Sequence, residues 1–157
     1  MKQSVLRVVD ALRAAGLDAE IREMSASTRT AEEAAAAIGT TVPRIVKSLV
    51  FLADDAPVLA LVSGTNRLDM ERFGLALGRS IVRADAAAVR AATSFSIGGV
   101  APLGHPMPLP VFIDRDLLQY DVVWAAAGTP NAVFPITPTA LVQVTGGQVL
   151  DLKADED

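Results

Sequence analysis

Ile45-Val46-Lys47-Ser48-Leu49-Val50-Phe51-Leu52 alternates two sets of side chains, and the apolar run Pro57–Val62 answers it across Asp54-Asp55. Successive side chains of a strand point to opposite faces, so Ile45, Lys47, Leu49 and Phe51 share one face and Val46, Ser48, Val50 and Leu52 the other. Two such runs joined by a turn predict an antiparallel hairpin. Lys47 falls among apolar neighbours, where an ammonium is costly unless it meets an anion, a carbonyl or solvent at the strand's end. A charge guarding an exposed edge strand is the other reading of the same residue, and both stay open on pattern alone.

Outward from the hairpin, the elements are short. On the N-terminal side, Val5, Val9 and Leu12, with Leu6 and Val8 alongside, follow helical spacing, and Gly16 is a fitting stop. Ala19–Arg22 reads as a short strand and Ser25–Arg29 as a loop. Thr30-Ala31-Glu32-Glu33 has the form of a capping box for a helix that ends at Gly39. On the C-terminal side, Ser63–Asn66 is a loop before a helix capped near Asp69 and closed by Gly78. Ile81–Arg83 follows as a strand, then a helix from Asp85 to about Ala92. Beyond a Gly/Pro loop come strands at Leu109–Ile113, Val122–Ala126 and Ala132–Ile136. A helical turn at Leu117-Leu118, a turn at Gly128–Asn131 and a short helix at Thr137–Leu141 separate them. Val142–Thr145 and Gln148–Leu150 are expected to form a last hairpin. The sum is an α+β fold: a mixed, largely antiparallel, curved and barrel-like sheet flanked by short helices. One domain over residues 1–157 is expected, with an acidic, disordered tail from about residue 151.

Composition narrows the chemistry. The chain of 157 residues is 51% hydrophobic, with 4% aromatics, so its core must be built from Ala, Val, Leu and Ile. No cysteine means no disulfide, thiol nucleophile or thiolate metal site, and one histidine excludes the multi-histidine metal arrangements. No apolar run reaches the ~20 residues of a membrane span, and Arg7, Asp10 and Arg13 interrupt any signal-peptide pattern. A soluble, cytoplasmic protein is the expectation. A net charge of −4 argues against tight non-specific nucleic-acid binding. It leaves room for a local basic face from Arg44, Lys47, Arg67, Arg72, Arg79, Arg83 and Arg90.

The other chemical candidate is Gly98-Gly99-Val100-Ala101-Pro102-Leu103-Gly104-His105-Pro106. Adjacent glycines allow unusual backbone angles and close approach, and the prolines stiffen the exit. A concave row of N–H groups there suits an anion or a developing oxyanion, while a plain Gly/Pro turn without a ligand is the alternative. No Gly-x-Ser-x-Gly elbow, phosphate-cradling Gly-x4-Gly-Lys-Ser/Thr or dinucleotide Gly-x-Gly-x-x-Gly occurs. His105, between Gly104 and Pro106, reads as a packing or rim residue. Asp114 ends an apolar strand, and Asp116 and Asp121 look like turn residues. Lys47, the N–H groups of Gly98–Ala101, Asp114 and the Gly128–Asn131 turn remain. Together they are suited to polarising an ester carbonyl and holding a phosphate while water attacks.

In order along the chain stand Thr30-Ala31-Glu32-Glu33-Ala34-Ala35, Ile45-Val46-Lys47-Ser48-Leu49-Val50-Phe51 and Gly98-Gly99-Val100-Ala101-Pro102-Leu103-Gly104. Leu109-Pro110-Val111-Phe112-Ile113-Asp114 and Ala126-Ala127-Gly128-Thr129-Pro130-Asn131 follow. Each is weak alone, but in this order the set resembles the YbaK/ProX superfamily of trans-editing aminoacyl-tRNA deacylases, relatives of the editing domain inserted in bacterial prolyl-tRNA synthetases. The resemblance runs from roughly Ala19 to Thr145. It implies that fold, and hydrolysis of the ester joining a wrong amino acid to the 3′ end of a tRNA, most often proline tRNA carrying a smaller amino acid. Lys47 would engage the terminal nucleotide or its phosphate. Gly98, Gly99, Val100, Ala101 and Pro102 match the Gly-x-x-x-Pro loop that holds the carbonyl and orients water. Asp114 and Gly128 match positions lining the same cleft, and Ile45, Leu49, His105 and Asn131 complete the expected substrate-binding set.

The resemblance implies no metal and no cofactor; the implied partners are a mischarged tRNA and, in support, prolyl-tRNA synthetase. A proline pocket rejects a smaller side chain by only ~1–3 kcal/mol per methylene, so a second, smaller sieve has a purpose. Two departures stand out. Ser94 precedes Phe95 where many members have glycine, and Gly99-Val100-Ala101-Pro102 replaces the Gly-Gly-Cys-Ser-Pro common in cysteine-selective members. Alanine, serine, threonine and 2-aminobutyrate therefore remain open as the residue removed, with a lean toward a small aliphatic one. A non-catalytic module for a tRNA 3′ end or a synthetase, and a hydrolase of free small esters or amides, are the competing classes.

Overall fold

The computed structural model describes residues 2–18 and 20–155. Helix α1 (Gln3–Ala14) buries Val5, Val8, Val9 and Leu12, the stripe expected from 3.6-residue spacing. Strand β1 (Arg22–Glu23) is shorter and later than the Ala19–Arg22 expectation, of which Ala19 lies outside the described residues. Helix α2 (Ala31–Ile38) carries the capping box: the Thr30 hydroxyl accepts from the Glu33 N–H at 3.1 Å, and Glu33 accepts from the Thr30 N–H at 3.3 Å. A 3₁₀ turn at Val42–Arg44 leads into the central hairpin of β2 (Val46–Ala53) and β3 (Ala56–Ser63). Asp54 and Asp55 both take positive φ, 46° and 69°, as a tight two-residue hairpin turn requires.

Helix α3 (Met70–Leu77), β4 (Ile81–Arg83) and α4 (Ala86–Thr93) follow, then the Gly/Pro loop. The chain continues through β5 (Val111–Asp114), a 3₁₀ turn at Arg115–Gln119, β6 (Val123–Ala126) and β7 (Ala132–Ile136). It ends with α5 (Pro138–Thr145) and β8 (Gln148–Leu150). The strands form two sheets rather than a barrel: a five-stranded one in the order β4-β2-β3-β5-β8 and a three-stranded one in the order β1-β7-β6. Only β3–β5 and β5–β8 pair in parallel among the described strands. The expected closing hairpin is absent: Val142–Thr145 belongs to α5, and β8 adds beside β5. Thr137 caps α5 with a side-chain bond to Ala140 N–H at 3.2 Å, and Pro138 fits its first turn, so the helix outcompetes a strand there.

The hairpin divides the core. Val46, Val50, Leu59 and Leu61 join α1, Phe95, Phe134 and Leu141 on one side. Phe51, Ala53, Val58, Ala60 and Val62 meet Phe73 of α3 on the other. Phe73 stands edge-on to Phe51 and Phe112, with centroids 5.8 and 5.3 Å apart. The two sheets touch where Ile45 bridges Trp124 of β6, and β4 pairs with β2 only from Phe51 onward. Between these points one edge of β2 is left open.

The acidic tail departs from the disorder expected of it. Leu152 is fully buried beside Phe73, Lys153 bridges Leu68, and Asp69 N–H donates to the Leu152 carbonyl at 2.9 Å. Arg72 grips Asp151 at 3.3 Å and Asp155 at 3.2 Å. One buried leucine outweighs the charge pattern, because the ion pairs are exposed and such pairs contribute ~0–1 kcal/mol each. Leu152→Ala is expected to destabilise by about 2–5 kcal/mol and lower Tm by roughly 4–20 °C, whereas Asp155→Asn moves Tm little. Thermal unfolding of the two variants checks this.

Candidate active site

The open edge of β2 forms one wall of a cleft of about 400 Å³. The segment entering α2 with its first turn (Thr28–Ala34), the loop at Gly98 and Val100, Arg83–Ala84, and Trp124–Ala126 of β6 complete it. Of the residues singled out from sequence, Ile45, Lys47, Leu49, Gly98 and Val100 meet here. The deeper wall is small and apolar, from Val50, Val89, Val100, Ala125 and Val133.

Lys47 is half-buried at the foot of β2, and its ammonium donates to the backbone carbonyl of Asn66. Burial pushes its pKa below 10.5, assisted by the Arg83 cation; the carboxylates of Glu32 and Asp114 oppose the shift. Asn66 is itself held. Its Nδ2 donates to Asp114 Oδ2 and to Asp116 Oδ2, both at 2.8 Å. Asp114, 1% exposed, also accepts from the Ser63 N–H and the Asp116 N–H, each at 3.0 Å. The expectation that Asp114 lines the cleft therefore needs correction. The carboxylate at the end of β5 is spent on three N–H donors and reaches the cleft only through Asn66 and Lys47.

The loop divides its labour. Gly98 has φ +93°, and a Cβ there would meet the side chain of Arg29. The Gly99 N–H closes a turn onto the Ser96 carbonyl at 2.9 Å, while the N–H groups of Gly98 and Val100 have no partner among the described residues. The expected four-residue N–H row thus reduces at the cleft wall to Gly98 and Val100. Gly99 backs against the main chain of Thr129, and Ala101 and Pro102 are buried behind the wall.

Gly128, His105 and Asn131 do not line the cleft either. Gly128 sits under α1, where a Cβ would come 2.6 Å from the Ser4 carbonyl oxygen. His105 Nε2 bonds the Ala101 carbonyl at 2.9 Å and the ring stands edge-on to Phe95; burial lowers its pKa below 6.5. Asn131 Nδ2 donates to the Met24 carbonyl at 3.0 Å, and Thr28 donates through its N–H and hydroxyl to the Pro130 carbonyl at 2.7 and 2.8 Å. These bonds fasten the Gly128–Asn131 turn to the segment that enters α2, so the turn positions a cleft wall from behind.

Of the basic residues noted between Arg44 and Arg90, Lys47 and Arg83 face the cleft, joined by Arg29 from outside that range. Arg44 instead stacks on Tyr120, Arg90 donates to Ser96 Oγ, and Arg72 holds the tail. Ser94 adopts φ +61° as the C-cap of α4, a left-handed position that glycine takes without strain. Among the described residues no group of three or more His, Asp or Glu side chains is arranged to hold a metal. Asn66, Arg29 and Glu32 carry no signal of the site in the sequence, and Arg83 shows only as one member of the basic face.

Comparison with known proteins agrees with this architecture. A crystal structure described as a candidate trans-editing enzyme for prolyl tRNA synthetase superposes with a TM-score of 0.94 at 48% identity, over 99% of both chains. EbsC of Enterococcus faecalis (strain ATCC 700802 / V583), described as a candidate Cys-tRNA(Pro)/Cys-tRNA(Cys) deacylase, is 26% identical over 129 residues, 81% of this chain and 79% of that protein. The proline–tRNA ligase of Nitratidesulfovibrio vulgaris (strain DP4) is 35% identical over 96 residues, which is 60% of this chain but only 17% of the ligase. The model of the aminoacyl-tRNA editing domain matches residues 25–144, from the segment entering α2 to the last turn of α5, and the chain belongs to that family.

Proposed function

We propose that this chain acts as a single trans-editing domain that deacylates a mischarged tRNA in the cytoplasm, and that the tRNA is proline tRNA bearing a small amino acid. The observation that carries this reading is the convergence of Lys47 and the Gly98–Val100 loop on one cleft with a small apolar floor. The ester carbonyl docks against the free N–H groups of Gly98 and Val100, which stabilise the charge that grows on its oxygen. Water adds to the carbonyl carbon, the acyl C–O bond breaks, and a proton from that water ends on the departing ribose oxygen. No protein nucleophile takes part. Lys47, with Arg83 and Arg29 nearby, holds the phosphate of the terminal nucleotide. The floor of valines and alanines suits a short side chain, in keeping with the second-sieve logic. The likeness to a proline–tRNA ligase supports association with such a synthetase as an aid to tRNA binding.

A panel of differently mischarged tRNAs tests the reading. Wild-type protein is expected to release alanine or another small residue from proline tRNA. Lys47→Ala is expected to raise KM about 10–100-fold, the worth of one charge-assisted contact. Binding without turnover on every tRNA points instead to a silent recognition module. Because Lys47 titrates below 10.5, its charge and its hold on phosphate are present at neutral pH and fade as pH rises through that lowered value. KM is therefore expected to climb on the alkaline side, and Lys47→Arg to remove that limb, because arginine stays charged. A flat KM–pH profile overturns the assignment of phosphate binding to Lys47.

A further inference from the structure

One residue of the open edge has polar groups that the fold does not use. The Val50 carbonyl accepts from the Ala84 N–H at 3.3 Å, which fixes the edge of β2 toward which Val50 turns its main chain. On the neighbouring strand, Leu59, opposite Val50, turns its N–H the other way, onto the Pro110 carbonyl at 2.9 Å. Main-chain direction alternates along a strand, so Ser48 turns its N–H and carbonyl to the same open edge as Val50. Val50 finds Ala84, just past β4, there, and Ile45, at the other end, finds Trp124. Ser48 lies between the two partners, in the wall of the cleft. Its Oγ is also buried with no hydrogen-bond partner among the described residues. A buried hydroxyl left unpaired is costly, and its neighbours Val46 and Val50 show that an apolar side chain fits this face.

Resting on the deacylase reading, we infer that Ser48 is a substrate-binding residue whose Oγ and carbonyl accept hydrogen bonds from the α-ammonium of the aminoacyl group. The carbonyl and hydroxyl are both acceptors, and the α-ammonium is the donor group that every aminoacyl ester carries next to its carbonyl. Glu32 lines the same cleft and offsets the cations of Lys47, Arg29 and Arg83 around an incoming positive charge. This contact reads the part of the substrate common to all amino acids, and leaves the choice of side chain to the valine and alanine floor.

The test compares alanyl-tRNA with lactyl-tRNA, in which a hydroxyl replaces the ammonium, on proline tRNA. Wild-type protein is expected to hydrolyse the alanyl ester about tenfold or more better in kcat/KM. Ser48→Ala, which removes Oγ and keeps the carbonyl, is expected to narrow that preference by slowing alanyl hydrolysis several-fold more than lactyl hydrolysis, and Ser48→Thr to keep it. Equal wild-type rates on both esters, or an equal loss on both in Ser48→Ala, overturn the assignment of Ser48 while deacylation itself stands. Hydrolysis of neither ester, nor of any other mischarged tRNA, removes the deacylase reading and this contact with it.

Discussion

Gly98→Ala is expected to cut kcat for deacylation by about 10²–10³-fold while the protein stays folded, and Gly99→Ala to cost stability as well. The two glycines are adjacent and fail for different reasons. At Gly98 the obstacle is conformational: φ is +93°, and the nearest atoms to an added Cβ, at 2.7–3.3 Å, belong to the flexible Arg29 side chain. Arginine can swing aside. The backbone cannot keep that φ cheaply with a Cβ present, so it relaxes and turns the Gly98 N–H away from the carbonyl it is proposed to hold. At Gly99 φ is ordinary, but a Cβ would stand 2.9 Å from the Thr129 carbonyl carbon and Cα. That neighbour is main chain in a turn tied down through Pro130 and Asn131, and it has no rotamer to give. Overpacking of this kind costs about 1–3 kcal/mol, or roughly 2–12 °C in Tm, and it pushes the loop off its seat. Single-turnover deacylation and thermal unfolding, run on both variants, separate the two causes. Wild-type kcat in Gly98→Ala would exclude its N–H from the reaction.

How much of this was legible beforehand follows from the range of the forces involved. The hairpin, the capping box at Thr30 and the stripe of α1 were readable because each is specified by neighbours within a few residues. The tail reads as disordered because Asp151 and Asp155 dominate its composition, while Leu152, which anchors it, contacts residues some eighty positions earlier. The strand expected at Val142–Thr145 fails because the β preference of Val142, Val144 and Thr145 yields to a helix that Thr137 caps, Pro138 starts and Leu141 anchors in the core. In the cleft, alternation located Lys47 and glycine spacing located the loop. What the spacing could not tell was which residues face the cavity and which brace it. Sequence order groups Asp114, Gly128 and Asn131 with the cleft, yet each acts from behind through a bond or a close contact. Asn66 carried no local signal, because its part depends on a carboxylate 48 residues away.

That carboxylate carries the second large expectation. Asp114→Ala is expected to destabilise by about 3 kcal/mol or more, lowering Tm by roughly 6–12 °C, and to weaken tRNA binding in the protein that still folds. Removal of the side chain leaves the Ser63 N–H and the Asp116 N–H without their acceptor, and leaves the Asn66 amide with Asp116 alone. Asp114→Asn does not restore the arrangement. Both carboxylate oxygens accept, so whichever way an amide is turned, its NH₂ faces a donor. The functional effect travels through Asn66, whose carbonyl holds the Lys47 ammonium. It also travels through charge: Asp114 favours protonated Lys47, so its loss moves the alkaline rise in KM to lower pH. A purely structural defect would leave the position of that rise unchanged. If Asp114 acts on binding only by way of Lys47, the double variant Asp114→Ala/Lys47→Ala binds tRNA no worse than Lys47→Ala alone, although it unfolds sooner. Losses in KM that multiply instead would mean that Asp114 reaches the substrate by a route independent of the lysine.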